Sequence, residues 1–293
     1  MTYRIGFDVG GTFTDFSIID DVSGRVDYHK VPSTPDDPSR AIETGLTELI
    51  QRLGLDPREI SHLGHGTTVA TNMAIVRRGA RTGLITTRGF RDVLEIGRQT
   101  RPHLYDYRVR RPEPLIPRHL RLEVDERTMA DGSIRTELDE PAVSRAAREL
   151  RDAGVEAVVI CFLHSYRNPA NELRARELVK QVMPDIYIST SSEILPEFRE
   201  FERLSTTVLN AYMGPRMSRY LERLLSRVSA IGVTANLDTI HSNGGLMSVA
   251  AVREMPVRTC VSGPAAGVIG AAEIGRQAGF YNLVTFDVGG TST

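Results

Sequence analysis

Two stretches of nearly identical sequence lie far apart in the chain, FDVGGTFTD at 7–15 and FDVGGTST at 286–293. Each overlaps the end of a largely apolar stretch that predicts a strand, YRIGFDV in the first and YNLVTFDV in the second, and an aspartate stands close to the end of that strand. The glycine pair that follows permits a tight turn whose backbone N–H groups can approach a phosphate closely. A carboxylate at the strand end could hold Mg²⁺ through a water molecule. The pattern predicts a polyphosphate site with its metal ion.

The predicted residues of that site come from both stretches. Asp8 is assigned a catalytic role and the water-mediated contact with Mg²⁺. The predicted contacts with the phosphates are Gly10, Gly11, Thr12, Thr14 and Asp15 on one side and Asp287, Gly289, Gly290 and Thr291 on the other. For one copy alone, a plain β-hairpin with a Gly-Gly turn is the alternative. The repeat favours two related lobes that bind one polyphosphate from opposite sides. Neither G-x-G-x-x-G nor G-K-[ST] occurs in the sequence.

A third candidate is HGTTVATN at 65–72, where a predicted strand ends and a helix begins. N–H groups at a helix start can bind an anion, and His65 is a candidate catalytic acid–base or substrate contact. The predicted substrate contacts in this stretch are Thr67, Thr68 and Asn72. The alternative is an ordinary helix cap made by Thr67 or Thr68, with His65 filling a polar gap.

A fourth candidate, HSNGG at 241–245, follows the predicted strand LDTI. His241 and Asn243 would then lie at the carboxyl end of a strand, where α/β sheets bind ligands, and both are predicted substrate contacts. The alternative is a hairpin turn whose Asn-Gly pair only shapes the backbone. The arginine-rich segment 98–118 is interpreted as a solvated basic loop rather than a carboxylate-binding one.

The composition argues against several other functions. The 293 residues carry 36 Lys and Arg against 37 Asp and Glu, so no net field attracts nucleic acid or an anionic membrane. No apolar run reaches the ~20 residues of a membrane span. The only cysteines, Cys161 and Cys260, lack metal-type spacing. We expect a cytoplasmic protein with neither a nucleic-acid nor a membrane partner.

The pattern of predicted elements indicates an α/β fold. Three short strands are predicted near 3–9, 15–20 and 25–31, and helices alternate with apolar strands over 140–190. Two helical stretches are predicted across about 197–231, and the strand YNLVTFDV is predicted at 281–288. This alternation is typical of a sheet with helices on both faces.

These phrases resemble a known superfamily and, more narrowly, one family. The paired hairpins are similar to the phosphate-1 and phosphate-2 motifs of actin-like ATPases, and SGPAAGVIGAAEIG is similar to the helix that precedes phosphate-2. The family is the hydantoinase A / 5-oxoprolinase / acetone carboxylase β-subunit family. It is identified from the stretches FDVGGTFTDF, HGTTVATNM, GFRDVLEIGRQ, RPHLYD, SEILPEFREFERLSTTVLNAYM, HSNGGLMS and SGPAAGVIGA.

The resemblance implies an actin-like, ribonuclease-H-like first lobe with a mixed sheet. It also implies ATP and Mg²⁺ as cofactors and phosphorylation of a carbonyl oxygen, which turns a poor electrophile into one that water can open. The implied substrate is a cyclic amide of the hydantoin or 5-oxoproline type, with a hydantoinase B-type subunit as partner. The alternative is the β subunit of an ATP-dependent acetone- or acetophenone-type carboxylase, acting on a ketone.

The resemblance also implies a division of the chain. Residues 1–280 would form the first lobe, with a hydantoinase A N-terminal region to about 190 and the start of the main region from about 200. Residues 281–293 would supply the first strand and the phosphate-2 turn of a second lobe that is truncated. We expect such an N-terminal fragment to bind ATP weakly when alone and to lack turnover.

Overall fold

The computed structural model describes residues 2–100, 103–106 and 108–288. The chain forms two compact units, the first from Met1–Val76 with Arg216–Thr293 and the second from Arg77–Pro215. The strands are β1 (Tyr3–Val9), β2 (Phe13–Asp20), β3 (Val26–Pro32), β4 (Ile60–Thr67), β5 (Thr82–Thr87), β6 (Arg121–Val124), β7 (Arg127–Thr128), β8 (Ile134–Thr136), β9 (Ala157–Cys161), β10 (Tyr187–Thr190), β11 (Asn236–Ile240) and β12 (Leu246–Ser248).

The helices are α1 (Pro38–Leu53), α2 (Val69–Ile75), α3 (Val93–Ile96), α4 (Glu140–Asp152), α5 (Ala170–Val182), α6 (Ser191–Ile194), α7 (Glu200–Ala230), α8 (Val249–Glu254) and α9 (Ser262–Gln277). Short 3-10 turns lie at Pro57–Glu59, Arg118–Leu120 and Pro256–Thr259. In the described part of the chain, no helix combines the length and the apolar character that crossing a bilayer requires.

The first unit is built on a six-stranded mixed sheet in the order β12-β11-β4-β1-β2-β3. β1, β2 and β3 form an antiparallel meander, whereas β4 and β11 run parallel to β1 and to each other. This confirms the predicted ribonuclease-H-like mixed sheet and its three opening strands. Because β1, β4 and β11 are parallel, their carboxyl ends meet at one edge.

Alternation along the strands of this sheet separates two faces. Phe7 pairs in register with Phe16, and both are buried beneath α1. A Cβ at Gly45 of α1 would lie 2.2 Å from the Phe16 ring, so only a glycine allows this approach. Asp37 caps α1 by accepting from the Ser39 N–H at 3.3 Å. α1 therefore begins at Pro38, directly after its capping residue.

The second unit contains a four-stranded, all-parallel sheet in the order β10-β9-β5-β6. β9 is buried along its whole length, and α4 and α5 pack against the sheet. The predicted regular α/β section over 140–190 is confirmed. Its core is formed by small and branched apolar side chains, among them Leu84, Ile85, Val143, Leu150, Val158, Val159, Ile160 and Val179.

Two predicted elements differ from the structure. The two helical stretches across 197–231 form one 31-residue helix, α7, which continues through Pro215. The strand predicted at 281–288 is not formed, because no described strand pairs with it. Instead Leu283 lies against Gly275 of α9, where a Cβ would be 2.2 Å from its side chain. The predicted boundary at 281 stays a prediction.

Candidate functional site

The Gly-Gly hairpin predicted around residue 10 is present and joins β1 to β2. The Gly10 N–H donates to the Phe13 carbonyl at 3.0 Å, and a Cβ at Gly10 would lie 2.9 Å from the same oxygen. Any other residue would therefore collide with the turn. Gly11 and Thr12, at its tip, are exposed. The tip thus presents backbone groups to solvent, as a phosphate-binding turn requires.

The turn is supported from beneath by two hydroxyl groups. Ser33 donates to the Gly10 carbonyl at 2.8 Å and its N–H donates to the Thr12 carbonyl at 2.9 Å. Thr14 is fully buried and its hydroxyl lies 3.0 Å from that of Ser33. This placement gives Thr14 a supporting role, so its predicted contact with a phosphate is not favoured by the geometry. Ser33 was not among the predicted residues.

Three carboxylates meet near the turn. The pKa of Asp8 is raised above its usual range, first by desolvation and then by the negative charges of Asp15 and Asp287. Asp8 as a residue is solvent-accessible, and the desolvation comes from atoms packed round the carboxylate. A Cβ at Gly66 would lie 2.8 Å from Asp8 Oδ1, and one at Gly263 would lie 3.9 Å away. Repulsion among three carboxylates is relieved when a cation binds.

Asp15 already has one cation. Its carboxylate lies 2.9 Å from Lys30 Nζ, and both side chains are more than half exposed, so the pair is weak and exchangeable. Among the described residues, no three His, Cys, Asp or Glu side chains are grouped tightly enough to hold a metal ion directly. The exposed Asp8 carboxylate could hold a hydrated Mg²⁺ through a bridging water, and this role stays a prediction. Gly289, Gly290 and Thr291 lie outside the described residues.

The stretch HGTTVATN forms the end of β4 and the start of α2, beside the Gly10 turn. Thr68 donates to the Val9 carbonyl at 2.8 Å and accepts from Asn72 Nδ2 at 3.3 Å. Thr67 is buried and accepts from the Val69 N–H at 3.1 Å. Thr67 thus satisfies one N–H at the start of α2, whereas Thr68, the N-cap residue, makes no capping hydrogen bond with its side chain. Substrate contacts by Thr67, Thr68 and Asn72 stay a prediction.

Two hydrogen bonds connect the start of α9 to the end of β4 and to α2. Thr71 accepts from the Val261 N–H at 2.9 Å, and Ser262 donates to the Thr67 carbonyl at 3.1 Å. Val261 has φ 60, in the left-handed region that β-branched residues disfavour. The sequence predicted only a helix similar to the one that precedes phosphate-2, and neither Thr71 nor Ser262 was among the predicted contacts. The T-x-x-x-T spacing from Thr67, at the end of β4, to Thr71 on α2 was the available signal for Thr71.

His65 lies on the other face of the sheet. It pairs with Phe7 in the β1–β4 register, so it shares the Phe7 face, while Asp8 and Gly66 share the opposite one. The ring is fully buried, with Tyr220 Oη 2.8 Å from Nε2 and Thr239 Oγ1 3.2 Å from Nδ1. Burial lowers the pKa of His65 to about 3, so it is neutral at physiological pH. The geometry favours the gap-filling alternative, and its catalytic role stays a prediction.

HSNGG forms the tight turn between β11 and β12. The His241 N–H donates to the Gly245 carbonyl at 2.8 Å, and His241 Nδ1 accepts from the Asn243 N–H at 2.9 Å. Gly244 has φ 87, and a Cβ there would lie 2.0 Å from Ile269 of α9. The hairpin alternative is thus observed. The turn still lies at the carboxyl edge of β11, so substrate contacts by His241 and Asn243 stay a prediction.

Three arginines of segment 98–118 are engaged within their own unit. Arg118 forms a two-point pair with Asp92, and Arg98 pairs with Glu202. Arg111 donates to the Ile96 carbonyl at 2.6 Å. These contacts support the interpretation of a basic loop rather than a carboxylate-binding one.

Two family models match the chain. The hydantoinase/oxoprolinase N-terminal region matches residues 4–183, and the hydantoinase/oxoprolinase model matches residues 203–293. The chain belongs to the hydantoinase/oxoprolinase family. Both matches include phrases on which the sequence resemblance was based, FDVGGTFTDF in the first and SGPAAGVIGA in the second.

Relatives of this hydantoinase/oxoprolinase-family chain include subunits of several enzymes. The caprolactamase subunit alpha of Pseudomonas jessenii is 40% identical over 296 residues, which is 99% of this chain and 42% of the relative. The acetone carboxylase beta subunit of Xanthobacter autotrophicus is 33% identical, covering 98% of this chain and 42% of the relative. The 5-oxoprolinase of Saccharomyces cerevisiae is 30% identical, and the match covers 99% of this chain and 25% of the relative. The chain therefore spans about two fifths or less of these proteins.

Solved structures agree with the fold. The crystal structure of ATP-dependent caprolactamase from Pseudomonas jessenii matches with a TM-score of 0.89 and 38% identity, over 98% of this chain and 42% of that one. A second match is the nucleotide-free structure of acetone carboxylase, an enzyme of ATP-dependent acetone carboxylation. Its TM-score is 0.84 and its identity 31%, over 94% of this chain and 41% of that one. The α/β fold with its mixed sheet is therefore that of ATP-dependent members of the family.

Proposed function

We propose that this chain is the part of an ATP-dependent enzyme that binds the phosphates of ATP and uses them to activate a carbonyl group, with a cyclic amide as substrate. The observation that carries the proposal is the Gly10-Gly11 turn, whose exposed tip lies beside the Asp8 carboxylate. The support from relatives is that the caprolactamase and acetone carboxylase structures are described as ATP-dependent.

The residues of this chain would act by positioning and by charge. The tip at Gly11 and Thr12 would donate backbone N–H groups to phosphate oxygens, and Asp8 would hold Mg²⁺ through water. Bound Mg-ATP supplies the phosphoryl group that makes an amide oxygen a good leaving group. The Asp8 carboxylate must be ionised for this role. Because its pKa is raised, metal binding should weaken at a higher pH than for an ordinary aspartate.

A cyclic amide is preferred to a ketone on the comparison of the caprolactamase subunit with the acetone carboxylase subunit. Identity to the caprolactamase subunit alpha is 40%, against 33% to the acetone carboxylase beta subunit. Carboxylation of a ketone is the second candidate, because the acetone carboxylase structure shares the fold with a TM-score of 0.84. Since these relatives are subunits by name, we also propose a partner subunit of the hydantoinase B type.

A pair of chimaeras tests the proposal. The matching region of the caprolactamase alpha subunit, and separately that of the acetone carboxylase beta subunit, would be replaced by this chain and assembled with the host's partner subunits. We expect ATP turnover that depends on a cyclic amide in the first host. We also expect loss of ketone-dependent turnover in the second.

The results would distinguish the amide activity from the ketone activity and would test the ATP site separately. Ketone-dependent turnover in the second host without amide turnover in the first would favour the carboxylase alternative. Chimaeras that fold and assemble but hydrolyse no ATP with any substrate would overturn the proposed ATP site. The unmodified host enzymes, assayed in parallel, serve as the positive control.

A further inference from the structure

The carboxyl edge of the parallel sheet in the second unit carries a group of basic and aromatic side chains that the proposed function does not use. We name it the β9-edge cluster: Phe90, Arg127, His164, Tyr166 and Arg203. Phe90 follows β5, Arg127 begins β7 just after β6, and the next two follow β9. Arg203 lies in the first turn of α7. In all-parallel sheets, this edge is where ligands bind.

Among the described residues, neither guanidinium of the cluster forms an ion pair with a carboxylate. Arg127 lies with its Cζ 5.4 Å from the centre of the Phe90 ring and is half-buried. Within the described ranges, its guanidinium makes no hydrogen bond and no ion pair, although its charge acts on Glu126 and on His164. A half-buried guanidinium with five free donors is poised for an oxyanion.

Arg203 is the second positive charge of the cluster and is more deeply buried than Arg127. It is 1% exposed, and its hydrogen bonds go to neutral acceptors, the Ser191 hydroxyl at 3.1 Å and the carbonyls of Glu197 at 2.9 Å and Phe162 at 3.0 Å. Its Cζ lies 5.4 Å from the Tyr166 ring. Burying a guanidinium without a direct carboxylate partner is costly, so Arg203 would be stabilised by an anion nearby.

The two buried carboxylates nearby, Glu172 and Glu126, accept hydrogen bonds from donors outside the cluster. Glu172 accepts from the Phe162 N–H at 2.8 Å, from the Ser191 hydroxyl at 2.6 Å and from the Ser192 N–H at 2.8 Å. Glu126 accepts from Asn171 at 3.0 Å and from the Thr87 hydroxyl. Both are thus saturated by donors of the interior.

His164 is affected by the positive charges of both Arg127 and Arg203. It is half-buried, and its ring meets that of Tyr166 edge-on, with the centres 6.0 Å apart. Its backbone has φ 56, a left-handed conformation that fixes the ring at the turn after β9. Desolvation and the charges of Arg127 and Arg203 lower the pKa of His164, while Glu200 acts in the opposite direction. The charged groups that act on this ring are therefore two guanidinium groups, of Arg127 and Arg203, and one carboxylate, of Glu200.

Room for a ligand atom exists next to the cluster. A cavity of about 10 Å³ is lined by Phe90 and Arg203, together with Thr86, Cys161 and Glu200 among others. That volume accommodates about one water molecule. Cys161 is no nucleophile there, because burial raises its pKa to about 11. The cavity lies against one member of each cation–aromatic pair, Phe90 and Arg203.

We propose that the β9-edge cluster is a binding site for a small oxyanion, a carboxylate or a phosphate group, held between the Arg127 guanidinium and the His164 ring. Phe90 and Tyr166 would form the walls, and Arg203 would supply charge from behind. The site lies wholly within the second unit and is independent of the phosphate-binding turn at Gly10.

Histidine NMR on the 293-residue chain tests the site. The C2 proton of His164, assigned by its loss in His164→Gln, would be followed during titration with acetate and, separately, inorganic phosphate. Chloride would keep the ionic strength at ~0.15 M, so that general screening is constant. We expect a saturable shift of this resonance and a rise in its pKa, because the bound anion offsets the two guanidinium charges. Response to acetate alone or to phosphate alone identifies the anion class.

Two variants decide whether the site is specific. Arg127→Gln should weaken the anion affinity about tenfold or more, since it removes a charge-assisted contact. Arg148→Gln, which removes an exposed charge on α4, should change it less than about twofold. Equal weakening by both variants would reduce the effect to net charge and overturn the proposal. So would the lack of a saturable shift with either anion in a chain whose circular dichroism is unchanged.

Discussion

The two faces of the first sheet carry different chemistry at the same level of the strands. On one face, Asp8 lies beside Gly66, exposed and close to two further carboxylates. On the other, Phe7 lies beside His65, which is fully buried and bonded through both ring nitrogens. Neighbours in sequence are thus separated by the thickness of the sheet.

This difference shows how strand parity assigns roles. Consecutive residues of a strand point to opposite faces, so only every second residue can join one site. Asp8 therefore belongs with Asp15 and the Gly10 turn, whereas His65 belongs with Thr14 and the core beneath α1. The predictions below test this assignment.

Removing the charge on the exposed face should have the largest effect. In the caprolactamase chimaera, Asp8→Asn is expected to lower ATP turnover about 100-fold or more, because the amide cannot neutralise the metal ion. The melting temperature should barely change, since the side chain is solvent-accessible. Steady-state turnover and a thermal melt measure both. Asp152→Asn, at the exposed end of α4, is the matched control, and parental turnover in Asp8→Asn would show that the carboxylate does not hold the metal.

Changing the buried face should alter stability rather than chemistry. The pKa of His65 falls from 6.5 when unfolded to about 3 when folded. The folded state therefore binds fewer protons, and the stability it contributes is complete above pH ~6.5 and is lost as the pH falls, at about 1.4 kcal/mol per pH unit. His65→Gln should remove that slope, as measured by urea unfolding at several pH values between 7 and 5.

The exposed His119 offers the control for this experiment. His119→Gln should leave the slope unchanged, because it replaces a solvent-exposed side chain rather than a buried one. A chimaera carrying His65→Gln should keep its ATP turnover at pH 7. If turnover were instead abolished while the fold persisted, His65 would be catalytic after all, and the division between the faces would fail.

The smallest effect is expected for Thr68, whose hydroxyl connects the start of α2 to the end of β1. Thr68→Val removes the hydroxyl that donates to the Val9 carbonyl, at a cost of about 1 kcal/mol in the free energy of unfolding. In the chimaera, KM for ATP should rise a few-fold with kcat little changed, because Val9 directly precedes the Gly10 turn. Thr68→Ser keeps the hydroxyl and should restore both values. Equal behaviour of the valine and serine variants would contradict a positioning role.

Much of the first sheet was predictable from local pattern. The strands before and after Gly10 were found because apolar alternation and a Gly-Gly pair act over a few residues. The burial of Thr14 was also within reach, since it shares parity with the buried Phe16 and Ile18. The same argument applies to His65, which shares parity with the buried Leu63.

Other features depend on contacts between distant segments. Tyr220 reaches His65 across 155 positions, and no local pattern specifies such a partner. Residues 281–288 show the converse case, because their alternation predicts a strand but a strand forms only where another strand accepts its hydrogen bonds. The β9-edge cluster likewise draws its residues from β5 to α7, so its members look unrelated in the sequence.

The order of the strands also has a consequence for synthesis on the ribosome. β4 pairs with β11, yet the second unit lies between them in the chain, so about 170 residues are made after β4 before its partner appears. At ~5–20 residues per second, this takes roughly ten to thirty seconds. During that time the contiguous second unit can fold, while β4 presents an unpaired edge of the kind that holding chaperones protect. Nascent chains halted between 77 and 235 should therefore be the most prone to aggregate.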